Sequence, residues 1–132
     1  MQIEFWKDKN EQIIDPKLYS DTAEELAKKI SNVDRKVNKT TQIRKFYDEV
    51  LRLNIEAKTD TDDKKWNTLE SLVNMLVAKA AYAQGRKLVS DGFVSFMRDS
   101  VKQIQDKNDL NIFANFFEAF MGFYKLYRPE QS

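Results

Sequence analysis

The chain has no cysteine and no histidine among its 132 residues. Without them there are no disulfides, no thiolate or imidazole metal ligands, no cysteine nucleophile and no Ser-His-Asp arrangement. Catalysis would rest on carboxylates, lysines, tyrosines and hydroxyls alone, which points away from an enzyme. Only three glycines and two prolines occur, too few turn residues for a strand-rich domain, so long helices with short connections are expected. There is little charge of one sign either: 22 basic against 21 acidic residues leave a net charge of +1. Any polyanion would therefore have to meet a local patch rather than a basic domain. Apolar runs fall far short of the roughly 20 residues that span a bilayer, and MQIEFWKDKNEQIID lacks the apolar core of a signal peptide. A cytoplasmic protein without membrane contact is expected, and the lack of cysteine fits that compartment.

The aromatic and aliphatic residues that are present recur at helical spacing. Residues 1–19 show no sustained period, and Pro16 interrupts them. They read as a loosely ordered arm on which Phe5 and Trp6 can dock. A first helix is expected from Ser20 or Asp21, with Asp21 and Glu24 as a capping box and Leu26, Ile30 and Val33 as its stripe. SNVDRKVNK reads as a basic loop. A second helix from about residue 41 to 57 carries Ile43, Phe46, Tyr47, Val50, Leu51 and Asn54 on one side, with Thr40 and Thr41 at its start as possible caps. AKTDTDD breaks it, and Asp62 or Asp63 caps a third helix whose core face is Trp66, Leu69, Leu72, Val73, Leu76, Ala80 and Ala83. Gly85 either permits close packing or marks where that helix ends.

Ser90 and Asp91 offer the cap of a fourth helix with Phe93, Phe96, Met97, Val101 and Ile104, and Asp109 that of a fifth, NIFANFFEAFMGFYKLY. The fifth is apolar nearly all round, so it is either central to a bundle or partly committed to a partner. The fold expected is all-α, a single-domain bundle of about five helices over residues 20–128, with a short tail at 129–132.

Three groups of side chains could carry function. On the third helix Met75, Lys79, Tyr82 and Arg86 share one flank. Two cations with a tyrosine between them can neutralise phosphates and stack on a base, or they can be an ordinary solvated flank with the tyrosine lying over the core. At the start of the second helix Gln42, Arg44 and Lys45 stand close to Arg35, Lys36 and Lys39, where first-turn N–H groups and the Thr40 and Thr41 hydroxyls favour an anion. Arg44 borders the apolar stripe and either snorkels or grips. On the fifth helix Glu118, Phe123 and Lys125 form a candidate protein interface, with Ile112 and Leu126 on the same less committed side. The acidic run TDTDD lacks the glycine and distal glutamate of a calcium loop, and neither a metal nor a cofactor is expected.

TTQIRKFYDEVLRL, VAKAAYAQGRKL and NIFANFFEAFMGFYKLY, in that order, resemble the small helical subunit of the type III-A CRISPR interference complex, the Csm complex. The corresponding motifs are Thr40 through Tyr47, Lys79 through Arg86 and Phe116 through Lys125. The likeness runs from about residue 20 to 127 and leaves the first nineteen residues outside. It implies a non-catalytic RNA-binding subunit of a guide-RNA ribonucleoprotein in antiviral defence. Copies of it would stack on one another and contact the guide and target RNA duplex beside the other effector subunits. Target RNA cleavage in such complexes belongs to the backbone subunit, and cyclic oligoadenylate synthesis and DNA cleavage to the large one. The resemblance selects Gln42, Arg44, Lys45, Lys79, Tyr82 and Arg86 as the RNA-binding candidates. A rival reading is a helical interaction module with no RNA contact, using the exposed side of the last helix.

Overall fold

In a computed structural model, which describes residues 3–59 and 63–129, five α-helices follow a small hairpin. Strands β1 (Trp6–Asp8) and β2 (Ile13–Ile14) pair antiparallel, and a π-helical turn (Leu18–Thr22) leads into α1 (Ala23–Ser31). Helices α2 (Thr40–Thr59), α3 (Asp63–Gly85), α4 (Asp91–Lys102) and α5 (Lys107–Tyr127) complete the bundle. Among the described residues no helix is long and apolar enough to cross a membrane. The all-α expectation is borne out.

Helix α5 is the central element. It packs against α1 and α2, while α3 packs against α4 and α2. Its Phe113, Phe116, Phe117, Phe120 and Tyr124 are fully buried on one face, and Ile112, Ala114 and Met121 are buried on either side of them. The rings form one connected array: Phe96 of α4 lies 5.4 Å from Phe117 and 5.7 Å from Phe120, and Phe46 of α2 lies 5.1 Å from Phe93. Burying a phenylalanine contributes about 2–3 kcal/mol, and a good ring pair adds about 0.5–1.5 kcal/mol.

The N-terminal segment, expected as a loosely ordered arm on which Phe5 and Trp6 can dock, meets the bundle through both of these residues and Lys9. Phe5 is fully buried and stacks on Phe113 at 6.0 Å, and its N–H donates to Gln103 Oε1 at 2.9 Å. Asp109, expected to cap the last helix, has another task. Asp106 is the cap, its carboxylate accepting the Asp109 N–H at 2.9 Å. The Asp109 side chain is fully buried and accepts from Trp6 Nε1 at 2.9 Å and from Lys9 Nζ at 3.0 Å. A buried carboxylate needs such partners to offset its desolvation. The hairpin is thus pinned by a fixed charge.

Two other caps differ from expectation. Thr22 precedes α1 with helical backbone angles and no side-chain cap, because the chain enters through the π-helical turn that buries Leu18. Asp21 and Glu24 therefore form no capping box. Thr40 and Thr41 lie inside the first turn of α2, and the Thr40 hydroxyl oxygen is buried without a hydrogen-bond partner. The cap expected at Asp62 or Asp63 falls outside the described side chains. Ser90 does cap α4, accepting from the Phe93 N–H at 3.3 Å.

The turns that aim α2 and α3 use residues with positive φ. Asn38 has φ 58° and is fully buried. Its amide donates to the Ile30 carbonyl at 3.0 Å and to Ser90 Oγ at 2.8 Å, and its side-chain oxygen accepts the Ser90 N–H at 2.9 Å. The Tyr124 hydroxyl donates to the Asn38 carbonyl. At the end of α3 the Leu88 N–H returns to the Ala83 carbonyl at 2.9 Å and the Lys87 N–H to Gln84 at 2.8 Å. That is a Schellman motif, with Lys87 at φ 64° in the place glycine usually fills. Gly85 closes the helix. A side chain there would meet nothing within 4 Å, so close packing does not require it.

Candidate functional site

Helices α2 and α3 pack side by side, and between their solvent-facing edges runs a groove of about 250 Å³. On α2 the positions i, i+3, i+4 and i+7 put Gln42, Lys45, Phe46 and Glu49 on the flank that faces α3. On α3 the same periodicity brings Leu76, Lys79 and Ala83 to the facing flank, with Tyr82 beside them and Arg86 directly after the last residue of the helix. Phe46, Leu76, Ala83 and Leu88 make an apolar floor, and the polar side chains stand along the rim. Leu88 is delivered to that floor by the Schellman turn.

Five of the six residues singled out from the sequence, Gln42, Lys45, Lys79, Tyr82 and Arg86, are thereby brought together. Tyr82 is 70 % exposed and does not lie over the core. The Arg86 guanidinium sits 5.9 Å from the centre of its ring, a cation–π contact that steadies both without hiding either. Met75, expected on the same flank, is exposed but does not line the groove.

Sequence reasoning missed the one carboxylate of the groove, Glu49, although its spacing of four from Lys45 could have found it. Its Oε1 accepts from Arg52 at 2.6 Å and lies 3.9 Å from Lys79 Nζ. The Arg52 hydrogen bond holds the Glu49 carboxyl below the usual carboxylate range against the opposing effect of burial, and the charges of Arg52 and Lys79 add to it. The described lining holds three cations, Lys45, Lys79 and Arg86, to this one carboxylate. Flexible cations above an apolar floor, next to an exposed ring, suit an anionic chain with planar groups.

Arg44 is not in the groove. One residue is a 100° step around a helix, and this step carries Arg44 to the opposite flank of α2, facing α5. There it lines a separate cavity with Thr40, Thr41, Lys125 and Arg128. Tyr47 lies nearby. Burial and the charge of Glu118 raise its pKa, and Arg44 opposes the rise. The interface candidates of α5 also part company: Glu118 and Lys125 are exposed, and Phe123 is half-buried. Ile112, expected on the same open side, is buried. Only Leu126, 65 % exposed, remains a large apolar residue turned to solvent there.

No curated protein and no solved structure gives a match to this chain. The model of one family, Csm2 Type III-A, does match, over residues 14–130. That span covers all five helices and both flanks of α2, so the chain belongs to the Csm2 family of small subunits of the type III-A Csm complex.

Proposed function

We propose that the protein is a non-catalytic subunit that holds the backbone of guide and target RNA in the α2–α3 groove, without regard to sequence, and stacks with neighbouring copies in a cytoplasmic antiviral ribonucleoprotein. Lys45, Lys79 and Arg86 contact phosphates, and Tyr82 stacks on an exposed base or sugar. Base pairing already supplies the specificity of a guided complex, so backbone contacts are enough. One observation carries the reading: five residues chosen from separate stretches of sequence converge on a single cationic groove. The fold also commits Glu49, in the groove lining, to an ion pair with Arg52. No cofactor enters the proposal.

Fluorescence anisotropy with several unrelated labelled RNAs, across a range of salt, tests it. Lys45→Gln, Lys79→Gln and Arg86→Gln together should weaken binding about equally for every sequence. They should also lower the slope of log affinity against log salt by up to about 0.7 per lost phosphate contact. Tyr82→Ala should cost about 1–3 kcal/mol if a base stacks on it. An unchanged slope in the triple variant refutes the groove assignment. The rival, a protein-binding module without RNA contact, draws on exposed Leu126. It requires that the parent protein itself show no salt-sensitive RNA binding.

A further inference from the structure

The cavity on the other flank of α2 has a volume of about 480 Å³ and lies between the first turn of α2 and the C-terminal half of α5. Its described lining contains three cations, Arg44, Lys125 and Arg128, and no carboxylate. Arg128 is unusual among them because it is only 8 % exposed. Its guanidinium is held by main-chain carbonyls at the end of α1 and in the loop that follows: Nε to Ser31 at 3.1 Å, Nη1 to Val37 at 3.1 Å and Nη2 to Val33 at 3.1 Å. Carbonyl dipoles satisfy its N–H groups but carry no net charge. Among the described residues no carboxylate pairs with this buried cation, and a buried charge is costly unless something of opposite sign offsets it.

Two independent details point the same way. The Thr40 hydroxyl oxygen, in the cavity wall, is buried with no hydrogen-bond partner. Buried polar atoms are nearly always satisfied, so each exception asks for a missing partner. Gly122, also in the wall, sits in the interior of α5, where glycine costs about 1 kcal/mol relative to alanine. A Cβ there would meet nothing within 4 Å. Among the described residues no neighbour requires glycine, whereas a ligand approaching the helix backbone would. The positive end of the α2 dipole adds to the field of the three cations.

We propose that this cavity is a phosphate-binding site separate from the α2–α3 groove, taking the phosphate of a free nucleotide or of an RNA strand. The Arg44 and Lys125 side chains close on the phosphate oxygens, Thr40 donates its hydroxyl hydrogen, and Arg128 supplies fixed positive charge from below. The volume leaves room for a sugar attached to the phosphate.

Amide NMR of the full chain tests this, with inorganic phosphate as the probe and chloride at matched ionic strength as the control. Phosphate should shift the Thr40, Thr41 and Gly122 amides, and chloride should not. Arg44→Gln with Lys125→Gln should weaken the response about tenfold. Gly122→Leu keeps every charge but fills the space, and should abolish it. Lys79→Gln with Arg86→Gln, in the other groove, should leave it in place, so failure of the groove assignment and failure of this one read differently. A short RNA that competes with phosphate for these shifts identifies the strand as the source. Adenosine monophosphate that competes where RNA does not identifies a free nucleotide. Phosphate shifts no larger than those of chloride, or equal in Gly122→Leu, overturn the proposal.

Discussion

Replacing Asn38 should destabilise this protein strongly, and the size of the effect follows from its surroundings. Asn38→Ala removes three side-chain hydrogen bonds, two to Ser90 and one to the Ile30 carbonyl. A typical bond of this kind contributes about 1 kcal/mol net, and a buried group left unpaired costs about 1–3 kcal/mol. The site is fully buried, so water does not replace the lost partners. A second term is the backbone. At φ 58° an alanine pays about 1 kcal/mol that asparagine largely avoids and glycine does not pay at all. The expectation is a loss of about 4 kcal/mol for Asn38→Ala and about 3 kcal/mol for Asn38→Gly.

Urea unfolding followed by circular dichroism separates the two terms. With a slope of about 2 kcal/mol/M, the midpoint should fall by about 2 M in the alanine variant and by about 1.5 M in the glycine variant, at unchanged slope. Losses below 1 kcal/mol in both would refute the hydrogen-bonded hub. Equal losses would keep the hub but refute the contribution of backbone strain.

Lys87→Gly, which relieves the positive φ at the end of α3, should stabilise by up to about 1 kcal/mol and raise Tm by about 2–4 °C; a lowered Tm would mean the lysine side chain matters more than its backbone. Burial pushes the Tyr124 hydroxyl from 10 up to about 12, slightly opposed by the charge of Arg128. The folded state therefore holds this proton more tightly than the unfolded state. That stability is complete below pH 10 and lost as pH climbs from 10 to 12, about 2–3 kcal/mol in all. Tyr124→Phe should flatten that stretch of the alkaline denaturation curve, and an unchanged curve would remove Tyr124 as its cause. Glu49→Gln frees Lys79 and Arg52 from a competing carboxylate, so RNA affinity at low salt should rise roughly two- to fivefold. Weaker binding would make Glu49 a ligand contact instead.

What could be read from the sequence was what depends on neighbours one helical turn away. The 3.6-residue period placed Ile43, Phe46 and Val50, and later Lys79, Tyr82 and Arg86, on the faces they occupy. The apolarity of residues 111–127 left open a central helix or one partly committed to a partner; the bundle buries its aromatic face and leaves Leu126 exposed. Features held by distant partners left no local trace. Trp6 and Lys9 meet Asp109 across about a hundred residues, and two- and three-residue strands have no period to detect. Asp106 and Asp109 are equally good caps by type, and only the hairpin's need for a buried carboxylate decides between them. Arg44 and Lys45, adjacent in sequence, seemed one basic cluster until the helix turned them to opposite flanks.

That division gives α2 its place in the molecule. Phe46 and Val50 are fixed in the core, so the helix cannot rotate to bring Arg44 and Lys45 to the same side. Each flank must find its own acceptor, one against α3 and one against α5. The start of the helix is set by Asn38, whose N–H donates to the Leu88 carbonyl at 3.0 Å and whose carbonyl accepts from Tyr124 of α5. The same residue therefore touches the turn that supplies the groove floor and the helix that walls the second cavity. A weakened Asn38 should loosen both cavities together, whereas loss of Lys79 or of Arg44 should affect one and spare the other.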